Sequence, residues 1–153
     1  MTRLGFLSPH EASLPGVSPL RDVEPRSFTD VSHLGKLEVR GGVPDGAIPL
    51  GADRALVVVD GDVRKVRDGL AAQGYRVYDM TAALAGLVVE GERLMRRLTE
   101  LDLDALPVVG AIARGTPAVI ERLEGERFRL FVPQELARYV TAFVDDAAEG
   151  LEQ

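Results

Sequence analysis

The chain of 153 residues contains no cysteine and no tryptophan, two histidines (His10 and His33) and two lysines (Lys36 and Lys65). Without cysteine there is no disulfide, no thiolate nucleophile and no thiolate-bound zinc or iron-sulfur centre within this chain. With only two imidazoles, histidine-based catalysis or metal ligation has almost nothing to draw on. No uninterrupted apolar run approaches the ~20 residues that span a bilayer, which predicts no membrane insertion. Met1 to Leu7 meets Ser8, Pro9, His10 and Glu11 at once, too short and too polar for a signal peptide. A cytoplasmic protein is the expectation. Basic surplus is missing too: the net charge is -6 and the pI about 5.0. Affinity for phosphate backbones comes from clustered Lys and Arg, so nucleic acid is not an expected partner.

What is present is ordinary globular composition, 46% hydrophobic and 27% charged, at a length suited to one domain with a real core. From Ser8 to Phe28, Pro9, Pro15, Pro19 and Pro25 interrupt any ladder or helix. The reading is an extended N-terminal arm over residues 1–29 and a folded domain over 30–153. Leu14, Val17, Leu20 and Phe28 in that arm suit contact with a partner subunit better than free solvation.

Periodicity then orders the domain. Leu37 and Val39 alternate with Lys36, Glu38 and Arg40, a half-buried strand stopped by Gly41 and Gly42. Arg54 to Asp60 is a β-branched run that suits a central strand. Asp62 is placed to cap a helix whose inner face holds Val63, Val66, Leu70 and Ala71, with Gly74 after its C-cap. Val77 to Asp79 ends another strand, with Met80 to Ala83 as the connection. Leu84 to Val89 is a buried strand that passes through Gly91 into a short helix bearing Leu94, Met95 and Leu98. Strands follow at Val108 to Ala113, Ala118 to Leu123 and Phe128 to Val132, the last two joined by a Glu124-Gly125-Glu126 hairpin. Pro133 suits a first helical position, and Leu136, Tyr139, Val140, Phe143 and Val144 repeat at helical period. Helices that return after strand pairs predict an α+β fold, with a mixed or antiparallel sheet, helices packed on one face and two strand-strand-helix units.

Chemistry is sparse. G-x-G-x-x-G and G-x-S-x-G are absent, which removes the dinucleotide fingerprint and the nucleophile elbow. Asp60-Gly61-Asp62 is explained by a turn and a cap, and Asp102 and Asp104 by solvent on either side of an inward leucine. Asp145, Asp146 and Glu149 lie toward the negative end of the last helix and do not stabilise it. They are free to meet a basic group.

Against this background, DVSHLGKLEVRG, from Asp30, resembles the D-L-S-H-M-G-x-L-x-V-x-G stretch of glycine-cleavage T-proteins, and LGADRALVVVDGD resembles the L-G-P-D-E-W-L-L stretch of their relatives. YDMTAALAGLVVEGERLMRRLTELDLDALP resembles V-D-V-S-x-G-x-A-x-L-x-L-x-G-P-x-A-x-x-L-L with its following D-L-D, and RFRLFVPQELARYVTAFVDDA resembles the F-x-L-x-V-P-x-x-x-A-x-Y-L-W-x-x-L close. The matches cover nearly all of the chain after Asp30. A single module of this length resembles the gamma subunit of heterotetrameric sarcosine oxidase, since the T-proteins and the alpha subunits carry it inside longer chains with an acidic catalytic segment that is not found here. The K-G-C-x-x-G-Q-E motif of the iron-sulfur-maintenance branch is also missing. Leu34 stands in place of the family methionine, Arg54 and Ala55 in place of Glu-Trp, and Glu92 in place of proline.

The resemblance implies a T-protein-like module acting as a non-catalytic gamma-type subunit of a sarcosine oxidase-like complex. Larger alpha and beta subunits would carry FAD, FMN and NAD, demethylate sarcosine oxidatively and pass the one-carbon unit to tetrahydrofolate. It implies no cofactor on this chain. The alternatives are a stand-alone folate-binding aminomethyltransferase-like module, with tetrahydrofolate near His33, Leu34 and Lys36, or a homo-oligomer that keeps only the fold.

Overall fold

The computed structural model describes residues 18–152. Expectations for residues 1–17 therefore lie outside the described residues, including the first part of the arm. The elements in order are β1 (Thr29–Asp30), β2 (Gly35–Arg40), β3 (Ile48–Pro49), β4 (Arg54–Val59), α1 (Val63–Ala72), β5 (Arg76–Asp79), β6 (Leu84–Glu90), α2 (Glu92–Leu98), β7 (Val108–Ile112), β8 (Thr116–Arg122), β9 (Arg127–Pro133) and α3 (Ala137–Leu151). The fold is α+β. Every pairing is antiparallel, and the strands divide between two sheets, a five-stranded one ordered β1-β6-β9-β8-β7 and a four-stranded one ordered β3-β4-β2-β5.

Alternation along each strand decides what lies between the layers. In β9, Phe128, Leu130 and Val132 meet Ala85, Leu87 and Val89 of β6 beneath Leu94, Met95 and Leu98 of α2 and Val140 and Val144 of α3, forming the main core. Fully burying one such side chain contributes about 1.5–3 kcal/mol, so this layer carries most of the stability. In the smaller sheet Leu37, Val39 and Val59 pack against Leu70 of α1. Phe131 belongs to the opposite face of β9, where it is almost fully buried with Leu56 and Ile48 of the four-stranded sheet. The two sheets are thereby one packed body.

Local signals explain the boundaries. Asp62 Oδ1 accepts from the Lys65 amide at 3.1 Å and starts α1, and Gly74, at φ 96°, follows its end. Gly91 at φ 103° turns β6 into α2, while its amide donates to Glu126 O at 2.8 Å. Two details depart from the periodic reading. Pro133 is not the first helical residue; it ends β9 opposite Leu84, and a short 3-10 turn over Gln134–Leu136 precedes α3. Its fixed φ suits an extended residue as well as a helical one. Tyr139 shares the expected period, yet it is 48% exposed, because the buried stripe is centred on Ala137, Val140, Thr141 and Val144 and position 139 falls on nearly the opposite side of the helix.

Residues 18–28 pass through turns, and Leu20 and Phe28 enter the main core of this same chain. The Ser27 amide donates to Asp145 Oδ1 at 3.1 Å, and Arg138 faces Asp22 at 3.4 Å, so this stretch is tied across α3. Asp145, which helix electrostatics leave unfavourably placed, takes a local donor.

Candidate functional site

The turn that carries His33, Leu34 and Lys36 lies where the chain crosses between the sheets. Residues 31–34 lead from β1 of the larger sheet to β2 of the smaller, and residues 80–83 lead back from β5 to β6. Lys36 sits between the two crossings. It is fully buried, and its Nζ donates to Ser32 O at 2.7 Å, Thr81 O at 3.0 Å and Leu84 O at 2.8 Å. An ammonium has three donors, so each is used. Its backbone joins the same knot, the amide donating to Thr81 Oγ1 at 3.1 Å and the carbonyl accepting from Met80 N at 2.7 Å. Burial lowers the Lys36 pKa to about 8, a shift that the negative charges of Asp30 and Asp79 partly oppose.

Neighbours complete the knot. Asp30 accepts from the Ser32 amide at 2.9 Å and from the Ser18 hydroxyl. Ser32 Oγ accepts from the Gly86 amide at 3.1 Å, and Val31 N donates to Gly86 O at 2.9 Å. A Cβ on Gly86 would stand 3.0 Å from the Phe131 ring and 3.1 Å from Val31 O, so the close approach of turn and strand requires glycine. The structure places His33, Leu34 and Lys36 in different surroundings. His33 is exposed, Leu34 is buried at 6% and Lys36 is committed to carbonyls. Among the described residues, no three or more His, Asp or Glu side chains are grouped to hold a metal ion, and no helix is long and apolar enough to cross a membrane.

Open space lies on the helical side of the larger sheet. A cleft of about 540 Å³ is lined by Arg97, Arg114, Tyr139, Phe143, Asp146 and Ala147. It shares Arg97, Arg114 and Phe143 with an adjoining cleft of about 550 Å³ that also holds Arg96, Glu100 and Leu101. The shared side chains make the two spaces one groove between the end of α2, the β7–β8 hairpin and α3. A further cleft, of about 500 Å³, lies by Arg26, Phe28, Arg93 and Leu151.

The groove is built by a strained turn. Ala113 and Arg114 have φ values of 44° and 62°, both in the left-handed region, and Gly115 follows at 98°. Two-residue turns with this twist favour Asn-Gly; a side chain there costs about 1–3 kcal/mol in backbone strain. The hairpin is held against α2 by Ala113 N donating to Leu98 O at 2.9 Å and Thr99 Oγ1 donating to Ala111 O at 2.8 Å. Across the groove, the Tyr139 and Phe143 rings lie 6.4 Å apart in a tilted contact. Neither Arg97 nor Arg114 has an ion pair among the described residues, although other arginines do: Arg96 and Arg122 bind Glu92, and Arg129 binds Glu121. This region leaves little trace in the sequence because its residues come from three separate elements: the Arg96-Arg97 pair at a helix end and an aromatic that recurs at helical spacing in α3.

No family model matches this chain, and no curated protein matches its sequence. Among solved structures, it is similar to a chain of heterotetrameric sarcosine oxidase from Corynebacterium sp. U-96, a structure in complex with pyrrole 2-carboxylate. The TM-score is 0.70 at 15% identity, covering 89% of this chain and 96% of that one. It is also similar to a chain of the aspartokinase alpha and beta subunits, with a TM-score of 0.50 at 13% identity over 82% of this chain and 99% of that one. At these identities the likeness is one of fold.

Proposed function

We propose that this chain is a non-catalytic, gamma-type subunit of a heterotetrameric sarcosine oxidase-like complex in the cytoplasm. The observation that carries the reading is the mutual extent of the likeness: 89% of this chain corresponds to 96% of one chain of such an assembly, so most of each is shared. The chemistry of the folded chain agrees with a supporting role. Its most perturbed side chain, Lys36, is occupied by three backbone carbonyls, and its one histidine in the described residues is exposed without a bonded partner. In this reading, the larger subunits hold FAD, FMN and NAD and oxidise sarcosine, and tetrahydrofolate takes up the one-carbon unit there.

The test is co-expression with the alpha- and beta-type subunits from the same genome. The expected result is a single species on size exclusion that contains this chain in fixed stoichiometry. A monodisperse, active complex that leaves it out would overturn the reading. Calorimetry with tetrahydrofolate on the isolated chain, showing tight binding, would favour the folate-binding aminomethyltransferase-like alternative, with His33, Leu34 and Lys36 as the first positions to vary. A stable self-associated species that ignores the other subunits would favour a homo-oligomer.

A further inference from the structure

Resting on the subunit reading, we infer that the groove between Arg97, Arg114, Tyr139 and Phe143 is the docking site for an acidic segment of a larger partner subunit, its carboxylates meeting the two guanidiniums and its apolar atoms the two rings. Three independent observations converge on this. The first is charge. In a chain of net charge -6, Arg97 and Arg114 line the same open space, and among the described residues neither is engaged by a carboxylate within ion-pair distance. Asp146 and Glu100 stand on the groove wall and form no ion pair with them among the described residues, so the guanidiniums remain open to an incoming anion. Arginine presents a planar fork that binds carboxylate through two parallel bonds.

The second observation is backbone strain. Arg114 occupies a left-handed position directly after another one, where glycine would fit without cost. The turn is nevertheless pinned to the end of α2 by the Ala113 amide, which holds the Arg114 backbone at the groove. A large cationic side chain in a position that favours glycine is consistent with a use for the side chain beyond the turn. The third is the exposed aromatic. Tyr139 keeps about half its surface in solvent beside Phe143, and Tyr and Arg are the residue types that dominate binding energy at protein interfaces. A groove of arginines and rings fits a segment that alternates acidic and apolar residues. The acidic balance of the chain argues against a nucleic-acid occupant.

The charge-reversed variants Arg97→Glu and Arg114→Glu, separately and together, are co-expressed in full-length form with the alpha- and beta-type subunits and compared with Arg64→Glu, on exposed α1. Association is read by sedimentation, and folding by thermal denaturation of each isolated variant. The expected result is that each groove variant melts as the parent does and weakens association about tenfold or more, the scale of one buried charge-assisted pair, while Arg64→Glu does not. Because the chain has no cysteine, Arg114→Cys provides a unique attachment point for a maleimide photo-crosslinker, and its adduct is expected in an acidic peptide of a larger subunit. A complex that forms with unchanged affinity in the double variant, or an adduct in a non-acidic peptide, overturns the docking site and leaves the subunit reading standing. Absence of any complex with the parent chain overturns both. A parent chain that dimerises through Arg114 assigns the groove to a second copy and also overturns the proposal.

Discussion

Lys36 and the Arg97–Arg114 pair are both cationic clusters, and they are built in opposite ways. Around Lys36, two crossings of the chain fold back so that every ammonium donor meets a carbonyl and the side chain has no exposed surface. Around Arg97 and Arg114, a strained hairpin and two helices hold guanidiniums at an open groove, with no ion-pair partner among the described residues. A buried charge must be satisfied from within the fold, since leaving it unpaired costs several kcal/mol; an exposed one is satisfied by water and can exchange that water for a ligand at small cost. The first cluster is therefore structural cement between the sheets, and the second is available for recognition.

The contrast is broken most directly at Lys36. Lys36→Met leaves three buried carbonyls without a donor and is expected to destabilise the fold by about 3–5 kcal/mol, read as a drop in the urea midpoint. Arg97→Met at the groove is expected to stay within about 0.5 kcal/mol of the parent, as surface substitutions do. Equal losses at both positions would erase the distinction. Gly86→Ala tests the packing of the same knot: its methyl would meet the Phe131 ring and Val31 O, and a loss of about 1–3 kcal/mol is expected from overpacking.

A pH series sharpens the comparison further. The folded-state pKa of Lys36 is lowered to about 8 from 10.5, so between those values the unfolded chain binds the extra proton. Stability attributable to this group is therefore lowest below pH 8 and rises as pH climbs from about 8 toward 10.5, with a slope of at most about 1.4 kcal/mol per pH unit. Urea midpoints of the parent minus those of Lys36→Met should show that rise, and a flat difference would mean that the lysine is not desolvated as its carbonyl cage implies. The remaining test is at the groove turn. Arg114→Gly relieves a left-handed side chain and is expected to raise stability by about 1 kcal/mol, while in the co-expressed complex it weakens association. Stabilisation without a loss of association would remove the functional explanation of the strain.

Much of the fold was legible because its signals are local. The alternation around Leu37 and Val39, the apolar run over Leu84 to Val89, the Asp62 cap and Gly74 each specify an element through interactions within a few residues, and all reappear at those positions. The strands β1 and β3 were not legible, because two residues carry no period. The turn at His33, Leu34 and Lys36 was visible as a motif, but which of the three is exposed, which buried and which bound to carbonyls was not.

The α+β class, the order of the main elements and the exclusion of thiol chemistry follow from periodicity, caps and composition. That the strands form two sheets, that Lys36 locks the crossings between them and that Arg97, Arg114, Tyr139 and Phe143 share a groove emerges from the folded chain alone. The difference is one of range. Periodicity and capping act over a single turn or strand, whereas a buried ammonium or an open cleft is defined by groups from distant segments that meet only when the core closes.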